Sequence, residues 1–215
     1  MAKRVLTFSA KTILERSFRE LPFDQKWEAL MGRPEPTFRA IVHGAPKQGK
    51  STFSMQMALK LSEYGKVLYS VSETGISKSL QSMIERTGIS PDNDRIRFVY
   101  CQTVEQLREK VGSRAGYRFI IVDSAQSCGL SVGKFVSLYK EFRHKSFTII
   151  LQSNRNGNFN GPQRWVHEVD CKIMLDQGIA HCEGRYAVPG TMDVLHLPKA
   201  VSVPQLNLFS NGKHH

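Results

Sequence analysis

The sequence has no long apolar run. Its longest, Phe119 to Val122 and Phe147 to Leu151 (the latter with one Thr inside), fall far short of the roughly 18 residues that a membrane helix requires. The first residues carry Lys3, Arg4, Lys11, Glu15 and Arg16 with no apolar stretch among them, so the start does not read as a secretory signal. Cysteine is scarce. Cys101, Cys128, Cys171 and Cys182 form no CxxC pair, which argues against a zinc knuckle or a redox motif. Four scattered thiols without a signal read as reduced and buried, and the expected compartment is the cytoplasm. His167, His181 and His196 lie too far apart to form a recognisable metal-ligand pattern. Acids are also short: 19 Asp and Glu stand against 30 Lys and Arg, for a net charge of +11. That balance favours a polyanionic partner over a neutral one.

What is present suits a folded domain. The chain has 215 residues, 40% of them hydrophobic, enough for one core of ordinary size. Residues 1–38 read as an N-terminal helical appendage, with short helical patterns at Ser9 to Phe18 and Phe23 to Met31 before Gly32, Pro34 and Pro36 break the chain. Residues 39–198 read as the core, and 199–215 as a tail. Within the core, strands alternate with helices. Strands are expected at Phe38 to His43, Lys66 to Ser72, Ile96 to Tyr100, Arg118 to Val122 and Phe147 to Leu151. Helices are expected at Ser51 to Tyr64 with Gly65 as its cap, Ser77 to Thr87 stopped by Gly88, Thr103 to Val111 opened by a Thr103–Gln106 capping box, and Val132 to Phe142. After Asp170 the pattern is strand-like: Cys171 to Leu175, Gly184 to Val188 and Asp193 to Leu197. Continuous apolar strands separated by helices imply an α/β fold with a mostly parallel sheet covered on both faces, and the helix-free end implies an antiparallel extension at one edge.

The chemistry begins at Gly44-Ala45-Pro46-Lys47-Gln48-Gly49-Lys50-Ser51, which fits G-x-x-x-x-G-K-[ST] between an apolar strand and an amphipathic helix. Gly44 and Gly49 let the backbone turn so that its N–H groups face one point, and the helix beginning near Lys50, followed by Ser51 and Thr52, adds its positive end. Such a loop binds nucleotide phosphates. Lys50 is placed to reach the β- and γ-phosphates, and Ser51 offers a hydroxyl to Mg²⁺. Lys47 either touches phosphate or is solvated. The strand ending at Val122 leads into Asp123, a carboxylate at a carboxyl strand end that can hold Mg²⁺ through water. Glu73 ends another strand. It reads as the group that orients or deprotonates attacking water, or as a plain acid before a helix start. Gln152 ends a third strand and reads as a γ-phosphate sensor or a strand-end cap. ATP and Mg²⁺ are the expected cofactors.

Together these residues resemble the RecA-like P-loop ATPases, nearest to the RadA/Sms recombination proteins and the DnaB-type hexameric helicases. IVHGAPKQGKSTFSMQMALKLSEYGKVLYSVSE resembles their phosphate loop, helix, second strand and catalytic Glu. FIIVDSAQ is similar to the RadA-type Asp strand, LQSNR to the helicase sensor segment, and GPQRWVHEVD to the RadA segment after the flexible DNA loop. The resemblance covers residues 39–197. It implies ATP hydrolysis, single-stranded DNA as partner, and a homo-oligomeric ring or filament with nucleotide at a subunit boundary. In these families a Lys-x-Arg pair, or Lys-Asn-Arg-Phe-Gly in RadA, reaches the neighbour's γ-phosphate. The matching stretch here is Glu183-Gly184-Arg185-Tyr186-Ala187, so Arg185 keeps the arginine and Glu183 reverses the lysine's charge. Slow hydrolysis, or Lys47 or Arg155 in that role, are the alternatives. No four-cysteine zinc module or protease-like domain accompanies the core, so a minimal core is expected.

From Ser124 to His167 there are six cations, Lys134, Lys140, Arg143, Lys145, Arg155 and Arg164, and one acid, Glu141. By the resemblance this stretch holds both DNA-channel loops, Ala125 to Gly133 and Ser153 to Trp165. Lys134, Arg155 and Arg164 are the candidate DNA contacts, with Phe159 as a stacking candidate. Trp165 reads as core packing in preference to base stacking. A KaiC-like regulatory or scaffolding ATPase that binds protein partners, or a DNA-binding ATP clamp with little turnover, are the competing functions.

Overall fold

The apolar runs become strands of one sheet. The computed structural model describes residues 6–153, 163–186 and 189–194. The helices are α1 (Ala10–Leu14), α2 (Gln25–Met31), α3 (Lys50–Ser62), α4 (Lys78–Thr87), α5 (Val104–Gly112), α6 (Val132–Glu141) and α7 (Arg164–His167). The strands are β1 (Arg39–His43), β2 (Val67–Val71), β3 (Ile96–Val99), β4 (Phe119–Asp123), β5 (Ser146–Ile150), β6 (Cys171–Asp176), β7 (Ile179–Gly184) and β8 (Gly190–Asp193). They form an eight-stranded sheet in the order β3-β2-β4-β5-β1-β6-β7-β8. The pairs from β3 through β6 are parallel, and β6-β7-β8 are antiparallel.

Physical reasons for the arrangement lie in the side chains. Strands β2, β4 and β5 are buried almost throughout, because helices cover both faces. One apolar cluster joins α2, α3 and α4 to one face through Trp27, Phe53 and Leu80; the other joins α5, α6 and α7 to the opposite face through Leu107, Phe135 and Trp165. The β6–β7 hairpin turns on Gln177 (φ 46°) and Gly178 (φ 79°), the two positive values that a two-residue hairpin of matching twist needs. Thr103 accepts from the Gln106 N–H at 3.3 Å, while the Gln106 side chain reaches back to Gln102, one residue earlier than a standard box. Among the described residues no helix is long and apolar enough to cross a membrane.

Three sequence expectations need correction. Residues 1–38 are not all appendage. Residues 6–20 are exposed, but Leu21, Phe23, Trp27, Leu30, Met31 and Phe38 belong to the core. Gly65 does not cap α3, which ends at Glu63 with helical angles; Gly65 is needed small, since a Cβ there would meet Arg118 and Phe119 side chains at 3.2–3.3 Å. The expected strand at 184–188 is displaced: β7 ends at Gly184, and the next strand spans Gly190–Asp193. Residues 195–215, including the tail, lie outside the described residues.

Candidate active site

Parallel strands bring their carboxyl ends to one edge of a sheet. Here the register aligns Val71 with Asp123, Val122 with Ile149 and Val42 with Ile150, so the segments after β1, β2, β4 and β5 leave the sheet side by side. They enclose a cleft of about 410 Å³ whose lining includes Lys47, Lys50, Ser51, Glu73, Asp123 and Gln152. The residues singled out for phosphate and water chemistry therefore meet in one place, although they come from four separate turns of the chain.

The loop from Gly44 to Gly49 is held open by its backbone. Gly44 has φ 145°, and a Cβ there would lie 2.2 Å from the Leu175 carbonyl oxygen, so only glycine passes. Gly49, at φ 95°, is the residue before α3 and offers no side-chain cap, which leaves the first N–H groups of the helix facing the loop. Lys47 is also in the left-handed region, at φ 67°, a strained choice for a non-glycine residue of the kind found at ligand sites. Lys50 Nζ donates to the carbonyls of Gly44 (2.8 Å) and Ala45 (2.9 Å), closing the loop on itself. Pro46 lines the cleft beside Lys47. Gln48 and Thr52 do not line it: the Gln48 amide oxygen accepts from the Gln177 N–H and ties the hairpin turn to the loop, and Thr52 sits half-buried in the first turn of α3.

Charge in the cleft is confined. Burial pushes the Lys50 ammonium below its ordinary pKa, opposed by the nearby charges of Asp123 and Glu73. Burial raises the Asp123 carboxyl, opposed by hydrogen bonds from Tyr69 and Ser51. Ser51 and Asp123 are thus adjacent hard oxygen donors around an under-compensated buried carboxylate, which is the donor chemistry that suits Mg²⁺. Glu73 is exposed on the cleft, with its backbone N–H on the Asp123 carbonyl at 3.2 Å. Gln152 is half-buried, its N–H held by the Gln126 side chain at 3.0 Å.

Sequence reading missed two members of this site. Tyr69 lines the cleft, with its hydroxyl 2.6 Å from Ser54 Oγ and 3.0 Å from Asp123 Oδ2. Ser153 Oγ accepts from the Gly44 N–H at 3.1 Å and so joins the end of β5 to the phosphate loop. The available signal was polarity inside apolar strands, which does not by itself reveal a partner.

The remaining candidates lie elsewhere. Arg185 is not in the cleft; its Nη1 donates to Asp170 Oδ1 at 3.0 Å. Lys134 stands in the first turn of α6 with Nζ 4.0 Å from Glu105, and Arg164 on α7 lies 3.4 Å from Glu168. Arg155 and Phe159 lie outside the described residues. Trp165 is buried, with its ring centroid 5.2 Å from that of Phe135, as the core reading expects. The four cysteines are buried and unbridged.

A phosphate loop after a central parallel strand, carboxylates on two neighbouring strand tips and an antiparallel edge define a RecA-like P-loop ATPase fold. Solved structures agree. An ATPase domain solved on its own aligns with a TM-score of 0.54 at 12% identity, covering 73% of this chain and 80% of that one. A DnaB-like replicative helicase, solved in a study of its interactions with primase, also gives 0.54, at 13% identity, covering 73% of this chain and 54% of that one. By sequence, the chain is similar to the DNA repair protein RadA of Haemophilus influenzae, 24% identical over 186 residues, with 77% of this chain and 40% of RadA covered. The RadA of Escherichia coli is 22% identical over 179 residues, with 74% and 38% covered. The chain thus spans about two fifths of the length of these relatives. No family model matches it.

Proposed function

We propose that this chain is a Mg²⁺-dependent ATP hydrolase that acts on single-stranded DNA in recombination, repair or replication, as a cytoplasmic homo-oligomer with nucleotide between copies. The carrying observation is the convergence of Lys50, Ser51, Glu73, Asp123 and Gln152 on one cleft walled by the phosphate loop. The similarity to RadA and to a DnaB-like replicative helicase supports the DNA role.

The chain's own residues suggest the division of labour. The backbone N–H groups of 44–51 and the open end of α3 face the phosphates. Lys50 leaves the Gly44 and Ala45 carbonyls for the β- and γ-phosphate oxygens, an exchange of neutral partners for charged ones that favours binding. Ser51 and Asp123 would hold Mg²⁺, whose contribution is to neutralise charge on the phosphates. Glu73 orients and deprotonates the water that attacks the terminal phosphorus as its bond to the bridging oxygen of ADP breaks. Gln152 hydrogen-bonds the terminal phosphate and loses that bond once phosphate leaves. Its position at the root of the loop from Ser153 links nucleotide state to a candidate DNA contact.

The test is ATP turnover with and without single-stranded DNA, with DNA affinity at two salt concentrations. The wild type is expected to hydrolyse ATP faster with DNA, and Lys50→Ala to lose turnover. Wild-type turnover by Lys50→Ala overturns the assignment of the cleft, and a rate unmoved by saturating DNA at low salt overturns the DNA role.

A further inference from the structure

Among the described residues no arginine lines the phosphate cleft, which contributes only Lys47 and Lys50 as cations. The arginines gather elsewhere. A second cavity, of about 570 Å³, collects Arg39, Lys140, Arg143, Lys145 and Arg185 against the carboxylates of Glu35 and Asp170. It lies at the opposite end of the parallel strands. Arg39 opens β1 and Gly44 follows its last residue, so the two sites are separated by the length of that strand, about 16 Å at 3.3 Å per residue.

Its framework is preformed. Asp170 is 5% exposed and accepts from Arg39 Nε (3.0 Å), Arg39 Nη2 (2.9 Å), the Arg39 backbone N–H (2.9 Å) and Arg185 Nη1 (3.0 Å). Its carbonyl also takes the Arg185 N–H at 2.9 Å. Releasing either arginine leaves a buried carboxylate short of a partner, which is costly. Arg185 is therefore fastened at its root while its side chain stays 62% exposed. Lys145 is spent internally, on the Tyr117 carbonyl. Lys140 and Arg143 are exposed. Arg143 makes no ion pair among the described residues, and Lys140 feels only the more distant charge of Glu168. Glu183 takes no part: it pairs with Lys172 across β6–β7 at 2.7 Å, outside the cavity.

Resting on the proposed ATPase reading, we infer that this cavity receives the triphosphate held in the cleft of a second copy, and that Lys140 and Arg143 join Arg185 as the cations meeting its terminal oxygens. The cavity has forked and point cations suited to phosphate, yet no glycine loop and no hard-donor pair with which to capture a magnesium nucleotide itself. The cleft has the opposite composition, binding phosphate with few cations. Each surface supplies what the other lacks, and one copy cannot bring them together. Cations from the end of α6 also fill the deficit left where Glu183 stands.

Mixing variants of the full chain tests this. Lys50→Ala disables the cleft and keeps the cavity; the double variant Lys140→Ala with Arg143→Ala does the reverse, at exposed positions that spare the core. In saturating Mg²⁺-ATP and single-stranded DNA, the double variant is expected to lose at least tenfold in turnover while binding a fluorescent ATP analogue like wild type at dilutions that keep copies apart. Mixed one to one with Lys50→Ala, it is expected to recover turnover well above the sum of the two alone. Wild-type turnover by the double variant, or a loss that mixing does not repair, overturns the inference. Should Arg185→Ala lose turnover while the double variant keeps it, the inference fails and the ATPase reading stands. An inactive wild type overturns both.

Discussion

Tyr69 donates its phenolic hydrogen to Asp123 Oδ2 across 3.0 Å, from the middle of one buried strand to the tip of its neighbour. The same hydroxyl lies 2.6 Å from Ser54 Oγ, and Ser54 reaches the Ser51 carbonyl at 3.0 Å. The carboxylate expected to hold Mg²⁺ is thereby tied to the first turns of the helix that follows the phosphate loop. Removing the phenol hydroxyl takes one donor from one carboxylate oxygen and leaves the shape of the core unchanged. Tyr69→Phe is expected to raise the Mg²⁺ concentration for half-maximal nucleotide binding about fivefold, the equivalent of the roughly 1 kcal/mol a hydrogen bond contributes net. Nucleotide binding without Mg²⁺ should not move. A titration in fluorescent ATP analogue reads both, and an unchanged Mg²⁺ midpoint would show that Tyr69 only packs.

Asp123 should also cost the nucleotide-free protein stability. Burial raises its carboxyl pKa above the unfolded value, so the folded chain holds that proton more tightly than the unfolded chain does. Its favourable contribution is complete below the unfolded carboxylate pKa of about 4 and is lost as pH rises through the raised folded value. Asp123→Asn removes that loss. The variant is expected to melt higher than wild type at pH 7, by about 2–4 °C for each kcal/mol recovered, with the gap closing toward pH 4. Mg²⁺-dependent nucleotide binding should vanish in the same variant. Thermal melts across pH 4 to 8 check the sign: a gap that widens on acidification would contradict a raised pKa.

Gln48 is a phosphate-loop residue whose side chain serves the backbone of another element. Its amide oxygen holds the N–H of Gln177, at the tip of the β6–β7 hairpin, where φ is 46°. Gln48→Ala frees that N–H and unties the loop from the turn. The expected result is a stability loss of about 1 kcal/mol and a severalfold weaker nucleotide affinity, because the loop orders itself at the cost of binding. Denaturant melts and nucleotide titration separate the two effects. An unchanged affinity would mean that the Lys50 contacts to Gly44 and Ala45 hold the loop alone.

Much of this architecture could be read in the chain because local chemistry dictates it. The parallel strands announce themselves as continuous apolar runs, and the phosphate loop as glycines at fixed spacing around Lys50. The order of strand tips then brings Glu73, Asp123 and Gln152 to the same edge. What local pattern does not encode is pairing across distance. Asp170 gives no hint of Arg39, 131 residues away in the chain, nor Tyr69 of Asp123, 54 residues away. The cations after Ser124 look like one stripe in sequence, yet Lys134 leans to Glu105 while Lys140, Arg143 and Lys145 turn to a cavity shared with Arg185. The N-terminal segment misleads for the same reason: a seven-residue helix between prolines looks peripheral until the edge strands supply its other half.

Gly190 puts that last point to a test. α2 lies against the start of β8 so closely that a Cβ on Gly190 would stand 2.1 Å from the Ala29 carbonyl oxygen and 2.6 Å from that of Leu30. Both are backbone atoms that cannot rotate aside, so the helix itself must move. Trp27, Leu30 and Met31 would then lose contact with Phe53, Cys182 and Met192 in the main cluster. Gly190→Ala is expected to destabilise the chain by about 2–3 kcal/mol, the range for overpacking a close contact. The carboxyl edge of β1, β2, β4 and β5 lies away from this contact, so affinity for nucleotide in the surviving folded fraction should stay near wild type. Denaturant unfolding and nucleotide titration check the pair of outcomes. If Gly190→Ala unfolds like wild type, α2 is not wedged on β8, and the boundary at residue 38 becomes the better description of the core.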